Sequence, residues 1–114
     1  MNEAPLSWDE FERVDMRIGR VITVEPLIGA RRPSYRMEID FGPELGVKQS
    51  SAQLTGLYSA SDLVGRQVVA VVNFAPKRIA GFRSETLVLG VPDGHGNVVA
   101  LAPEREVPAG SKVF

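Results

Sequence analysis

The sequence predicts an all-β fold: a small barrel of five strands, with a short helix inserted between the third and fourth. Three observations predict it. Apolar runs rich in β-branched residues recur as "VITV", "VVAVV" and "TLVLGV". The segment "YRMEIDFG" alternates apolar and charged residues at the period of a half-buried strand. Gly- and Pro-bearing stretches such as "GARRPS", "GPELG" and "PDGHGN" punctuate the runs as loops and turns.

The elements follow in chain order. "SWDEFERVD" reads as a helix because Ser7 and Glu10 stand at capping-box spacing and Trp8, Phe11 and Val14 recur at helical period. Its predicted place is over one end of the barrel, with a share in a dimer contact as the second reading. "MRIGRVITVEPL" is the first strand, with Ile18, Ile22 and Val24 expected on one side and Gly19 where the strand bends or meets another backbone closely. "YRMEIDFG" is the second, placing Tyr35, Met37, Ile39 and Phe41 inward. After a turn at "GPELG", "VKQSSAQL" is a weaker third strand. Ser59 and Asp62 cap a helix of one or two turns anchored by Leu63 and Val64 and stopped at Gly65. "RQVVAVVNF" is the buried fourth strand, "TLVLGV" the fifth, and "VVALAPE" the partner of the fifth across the turn. The tail ends on apolar Val113 and Phe114.

This order, with a helix between the third and fourth strands of an all-β chain, is that of the oligonucleotide/oligosaccharide-binding barrel, the OB-fold. The 114 residues fit one domain, 1–114, with 44% hydrophobic and 24% charged residues. So small a chain leaves much surface exposed, which makes dimerisation an early expectation. The segments 1–15 and 103–114 are expected to build that interface through Trp8, Phe11, Val113 and Phe114.

Composition excludes several chemistries. With no cysteine there are no disulfides, thiolate nucleophiles or zinc-thiolate sites. The start lacks a basic head and an apolar run, and "VVAVV" is far too short to cross a bilayer, so no membrane insertion and a cytoplasmic location are expected. No phosphate-cradling loop or nucleophile elbow occurs, and the single histidine, His95, lies in a turn without metal-ligand spacing. Glu38 and Asp40 share a wet strand face, and Ser50 and Ser51 have no neighbouring base. No enzyme, cofactor or metal is therefore expected.

The charge is uneven beneath a formal net of -1. Residues 1–15 carry five acids and one base, whereas residues 66–84 carry Arg66, Lys77, Arg78 and Arg83 and no acid. An OB-fold binds its ligands on strands two and three and on the loops joining strands one to two and four to five. The first loop carries Arg31 and Arg32, with Arg36 just beyond; the second is "APKRIAGFRSE". The expected rim is Arg31, Arg32, Arg36, Asn73, Lys77, Arg78, Ile79, Phe82, Arg83 and Ser84, with Phe82 as a stacking face and Asn73 and Ser84 as polar contacts. Taken singly, Lys77, Arg78 or Arg83 is better explained as a solvated loop charge and Phe82 as a core residue, and Asn73 or Ser84 is equally well explained by turn closure. Two basic loops meeting at one edge favour a ligand.

"FERVDMRIGRVITVEP", "SSAQLT", "LVGRQVVAVVNFAPKRIAGFRSETLVLGVPD" and "VPAGSKVF" resemble the CsaA-type secretion-related chaperones. These lie within the superfamily of tRNA-binding OB domains, found free-standing or fused to methionyl- and phenylalanyl-tRNA synthetases. The likeness covers nearly the whole chain, and the lack of an appended domain is similar to the CsaA type. It implies a non-catalytic homodimer that binds unfolded precursor polypeptides and associates with SecA, or, as the alternative, a tRNA-binding protein. Lys77, Arg78 and Arg83 fall on the relatives' basic loop and Ser84 on their serine. Where tRNA-binding relatives continue with Gly-Met, this chain has Thr86 and Leu87, as CsaA-type sequences do.

Overall fold

The computed structural model describes residues 4–114. The chain runs α1 (Trp8–Glu12), β1 (Met16–Pro26), β2 (Tyr35–Asp40), α2 (Gly42–Leu45), β3 (Val47–Ala52), α3 (Ala60–Leu63) and β4 (Gln67–Val71). It continues with β5 (Lys77–Ile79), β6 (Phe82–Ser84), β7 (Leu87–Val88), β8 (Gly90–Pro92) and β9 (Val98–Ala100). The main sheet has the order β3-β2-β1-β4-β7, while β5-β6 and β8-β9 are separate hairpins.

The long β1 serves two partners. From Arg20 onward it pairs antiparallel with β2, and from Met16 to Arg20 with β4. Gly19 stands where β1 passes from one partner to the other, and a Cβ there would lie 2.5 Å from Ile39 Cγ2 and 2.6 Å from the Phe41 ring, so the packing of these two side chains over the strand needs glycine. Closure joins β3 to the segment after β6. The Glu85 N–H donates to the Gln49 carbonyl (2.9 Å), the Gln49 N–H to the Glu85 carboxylate (3.0 Å), and the Ser50 hydroxyl to the Thr86 carbonyl (3.0 Å). The resulting five-stranded, nearly closed barrel is the predicted OB architecture, with α3 between β3 and β4.

Inside it Val21, Met37, Ile39, Phe41, Leu54, Leu63, Val68 and Ala70 form one buried cluster. Removing each of the larger of these side chains from water contributes about 1.5–3 kcal/mol. Three expectations are corrected. Ile22 is 44% exposed, because the β1–β2 register slips between Val21 and Thr23 and resets the alternation. "GPELG" is one helical turn, α2, started by Pro43, with the Asp40 carboxylate accepting from the Gly42 N–H (2.8 Å). Leu63 alone anchors α3; Val64 is exposed.

Both predicted capping boxes form. The Ser7 and Ser59 hydroxyls accept from the N–H groups of Glu10 and Asp62, whose carboxylates accept from the serine N–H groups in return. Those bonds hold both carboxyls below their usual pKa range, with the backbone N–H bond the largest cause.

The tail adds a strand-like segment along the half of β1 that β2 leaves open. The Gly110 N–H donates to Ile18, the Ile18 N–H to Ser111, and the Val113 N–H to Met16. Val113 is thereby held half-buried, while Phe114 projects fully exposed. At the other terminus α1 buries none of its residues, Phe11 is half-covered and Trp8 is 84% exposed, so the helix does not cap the barrel within one chain. The expected interface segment 1–15 begins outside the described residues.

Candidate binding cleft

The loop of residues 27–34 and the β5-β6 hairpin line one cavity and approach each other at Gly29 and Ala80. A Cβ on Gly29 would lie 3.7 Å from Ala80 Cβ. The hairpin tip is a two-residue turn with positive φ at both Ala80 (52°) and Gly81 (79°), the turn whose twist matches paired strands. Beneath the loops lies a cleft of about 680 Å³. Its apolar floor comes from Leu54, Leu87, Val88 and Val98, and Ile79 adds to one wall.

The cleft brings together Arg31, Arg32, Lys77, Arg78 and Ile79 of the expected rim. The two arginines of the first loop and the two cations of the second share one cavity, and neither a carboxylate nor an aromatic ring lines it. Arg31, Arg32 and Lys77 make no ion pair among the described residues. The Arg78 guanidinium donates to the Gly81 carbonyl (3.3 Å).

The other expected residues stand elsewhere. Arg36 and Phe82 line a shallow hollow on the β6 side of the hairpin, where Arg36 is paired with Glu25 (2.7 Å). Arg83 also faces that side, 4.0 Å from Glu85. Asn73 holds α1 to the barrel: its side-chain N–H donates to the Arg13 carbonyl (2.7 Å) and its oxygen accepts from the Asp15 N–H (3.1 Å). Ser84 is buried in the closing seam, where its hydroxyl accepts from the Ser51 N–H (3.0 Å). These two side chains are thus committed to the fold, and Arg36, Phe82 and Arg83 lie outside the lining of the cleft. Sequence reasoning missed the floor itself, because Leu54, Val88 and Val98 come from separate segments and read locally as core.

Among the described residues no cluster of histidines and carboxylates could hold a metal ion, and no helix is long and apolar enough to cross a membrane.

The family model described as "Putative tRNA binding domain" matches residues 16–112. Among solved structures, the chaperone CsaA of Bacillus anthracis is 53% identical, with a TM-score of 0.90, over 97% of this chain and 100% of that one. The CsaA chaperone protein of Picrophilus torridus is 38% identical, also with a TM-score of 0.90, over 96% and 100%. A methionine--tRNA ligase of Methanosarcina acetivorans is 33% identical over 95% of this chain, which spans only 15% of that relative's length. The chain belongs to the tRNA-binding OB-domain family, and its likeness to the CsaA-type members runs nearly end to end.

Proposed function

We propose that the protein is a non-catalytic, CsaA-type chaperone that holds extended stretches of unfolded precursor polypeptide in the cleft. The observation that carries this reading is the cleft's construction: an apolar floor beneath four cations. Apolar side chains gain by leaving water against Leu54, Leu87 and Val88, while the cations attract carbonyl and carboxylate oxygens. Exposed Trp8 and Phe114 support a homodimer, in which two clefts raise each other's effective concentration for one long chain. Cytoplasmic location and SecA as a partner belong to the same proposal.

tRNA is the second reading, favoured by the family match and by the same cations, which fit phosphates. A fluorescein-labelled, unstructured 20-residue peptide and labelled bulk tRNA, each titrated with the protein, separate the two. Changing Ile79→Ser with Leu87→Ser should weaken peptide binding at least tenfold and leave tRNA unaffected. Unchanged peptide affinity in that variant removes the floor from the account.

A further inference from the structure

Among the walls of the cleft, β5 has an unusual relation to the cavity. Its sheet contains only β5 and β6, so one edge of β5 has no strand partner. Lys77, Arg78, Ile79 and Ala80 are consecutive, yet all line the cleft. Side chains along a strand alternate between faces, so a cavity lined by every successive residue runs along the strand's edge and not over one face. Phe82 and Arg83 of β6 line hollows on the other side of the hairpin.

The register states which backbone groups that edge presents. Ile79 pairs with Phe82 across the two-residue turn, Arg78 with Arg83, and Lys77 with Ser84. In an antiparallel pair closed by such a turn, the flanking pair exchanges hydrogen bonds, the next does not, and the one after does again. The N–H and C=O of Arg78 therefore point away from β6, toward the cleft. Neither makes any other backbone bond among the described residues.

We infer that the free edge of β5 docks a segment of unfolded polypeptide as an added β-strand, paired through the main chain of Arg78. This rests on the polypeptide reading above and specifies how the chain is held. Backbone pairing explains how one small cleft could take many sequences, because every extended peptide offers the same N–H and C=O ladder. A second copy of the chain is not the occupant. Two such edges would set Lys77 and Arg78 against their own copies, whereas a segment carrying acidic side chains complements them.

The test compares Arg78→Ala with Arg78→Pro, using the labelled peptide. Alanine removes the guanidinium and keeps the N–H; proline also removes the outward N–H and sets its ring on the edge, without costing a β5-β6 ladder bond. Proline should weaken binding at least tenfold beyond alanine. Exchange protection of the Ile79 and Phe82 amides, which bond to each other's strand across the hairpin, controls for damage to it and should match between Arg78→Ala and Arg78→Pro. Peptides N-methylated at alternate residues should bind in one frame and fail in the other. Wild-type binding that Arg78→Ala and Arg78→Pro weaken equally, or that tolerates both methylation frames, overturns edge pairing and leaves the polypeptide reading standing. No wild-type peptide binding, with tRNA bound, overturns both.

Discussion

The basic lip makes its strongest numerical prediction through salt. Arg31, Arg32, Lys77 and Arg78 line one cleft with no carboxylate among them. If each meets one phosphate, four counterion contacts are released, and the slope of log affinity against log salt is about -2.8 to -3.6. Raising salt fourfold, from about 50 to about 200 mM, should then weaken tRNA binding by about 50- to 150-fold. Arg31→Ala with Arg32→Ala leaves two contacts, halves the slope, and reduces the loss over the same range to about 7- to 12-fold. Arg36→Ala is the internal control: that guanidinium is already neutralised by Glu25 at 2.7 Å and lies outside the cleft, so the slope should not change. Fluorescence anisotropy of labelled tRNA across a salt series reads all three slopes. A wild-type slope shallower than about -1, or a double variant with the wild-type slope, refutes the claim that these cations act together on phosphates.

Two further predictions concern the scaffold. Gly19→Ala should destabilise the protein by about 1–2 kcal/mol in urea denaturation, since crowding the buried Ile39 and Phe41 costs about 2–3 kcal/mol and the entropy gained on leaving glycine offsets about 0.4–1 kcal/mol. Stability at or above wild type would show that the packing of Ile39 and Phe41 over β1 does not need glycine. Acid should loosen the helix caps. Asp62 and Glu10 have folded pKa values below their ordinary ones, so their contribution is complete above the ordinary values and is lost as pH falls through the lowered ones. Protection of the Ser59 amide, its exchange rate set against that of an unstructured peptide at the same pH, should fall over that window, and Asp62→Asn should flatten the response; protection that rises on acidification would contradict the linkage.

The parts of the fold that were legible in the sequence are those fixed by neighbours in the chain. Ser7 with Glu10 and Ser59 with Asp62 are three residues apart, and the β2 alternation needs only its own side chains. What was not legible depends on partners far away. Ile22 follows the pattern for an inward residue, but the β1–β2 slip that turns it outward is a property of two strands together. The same holds for the cleft. Two basic loops were visible as charge, yet which faces they present is set by how the hairpin stands on the barrel. Asn73 and Ser84 sat beside the cations in sequence and were taken by contacts tens of residues away, with Arg13 and Asp15 in one case and Ser51 in the other.

The seam that closes the barrel is also what aims the hairpin. β5 and β6 pair only with each other, so their orientation depends on what holds the base of β6. That base is tied to β3 by the Ser51 N–H to the Ser84 hydroxyl, by the Gln49 side-chain N–H to the Arg83 carbonyl (3.2 Å), and by the Glu85 bonds to Gln49. On the other wall, Ser51 and Ala52 of β3 lead into Gln53 and Leu54, and all four line the cleft. One set of bonds between β3 and residues 83–85 therefore fixes both the closure and the distance between the cleft's two walls. The barrel cannot open at this seam without moving the free edge of β5 relative to the β3 wall, and Ser84, buried in the seam and bonded to the Ser51 N–H, is part of what holds the two together.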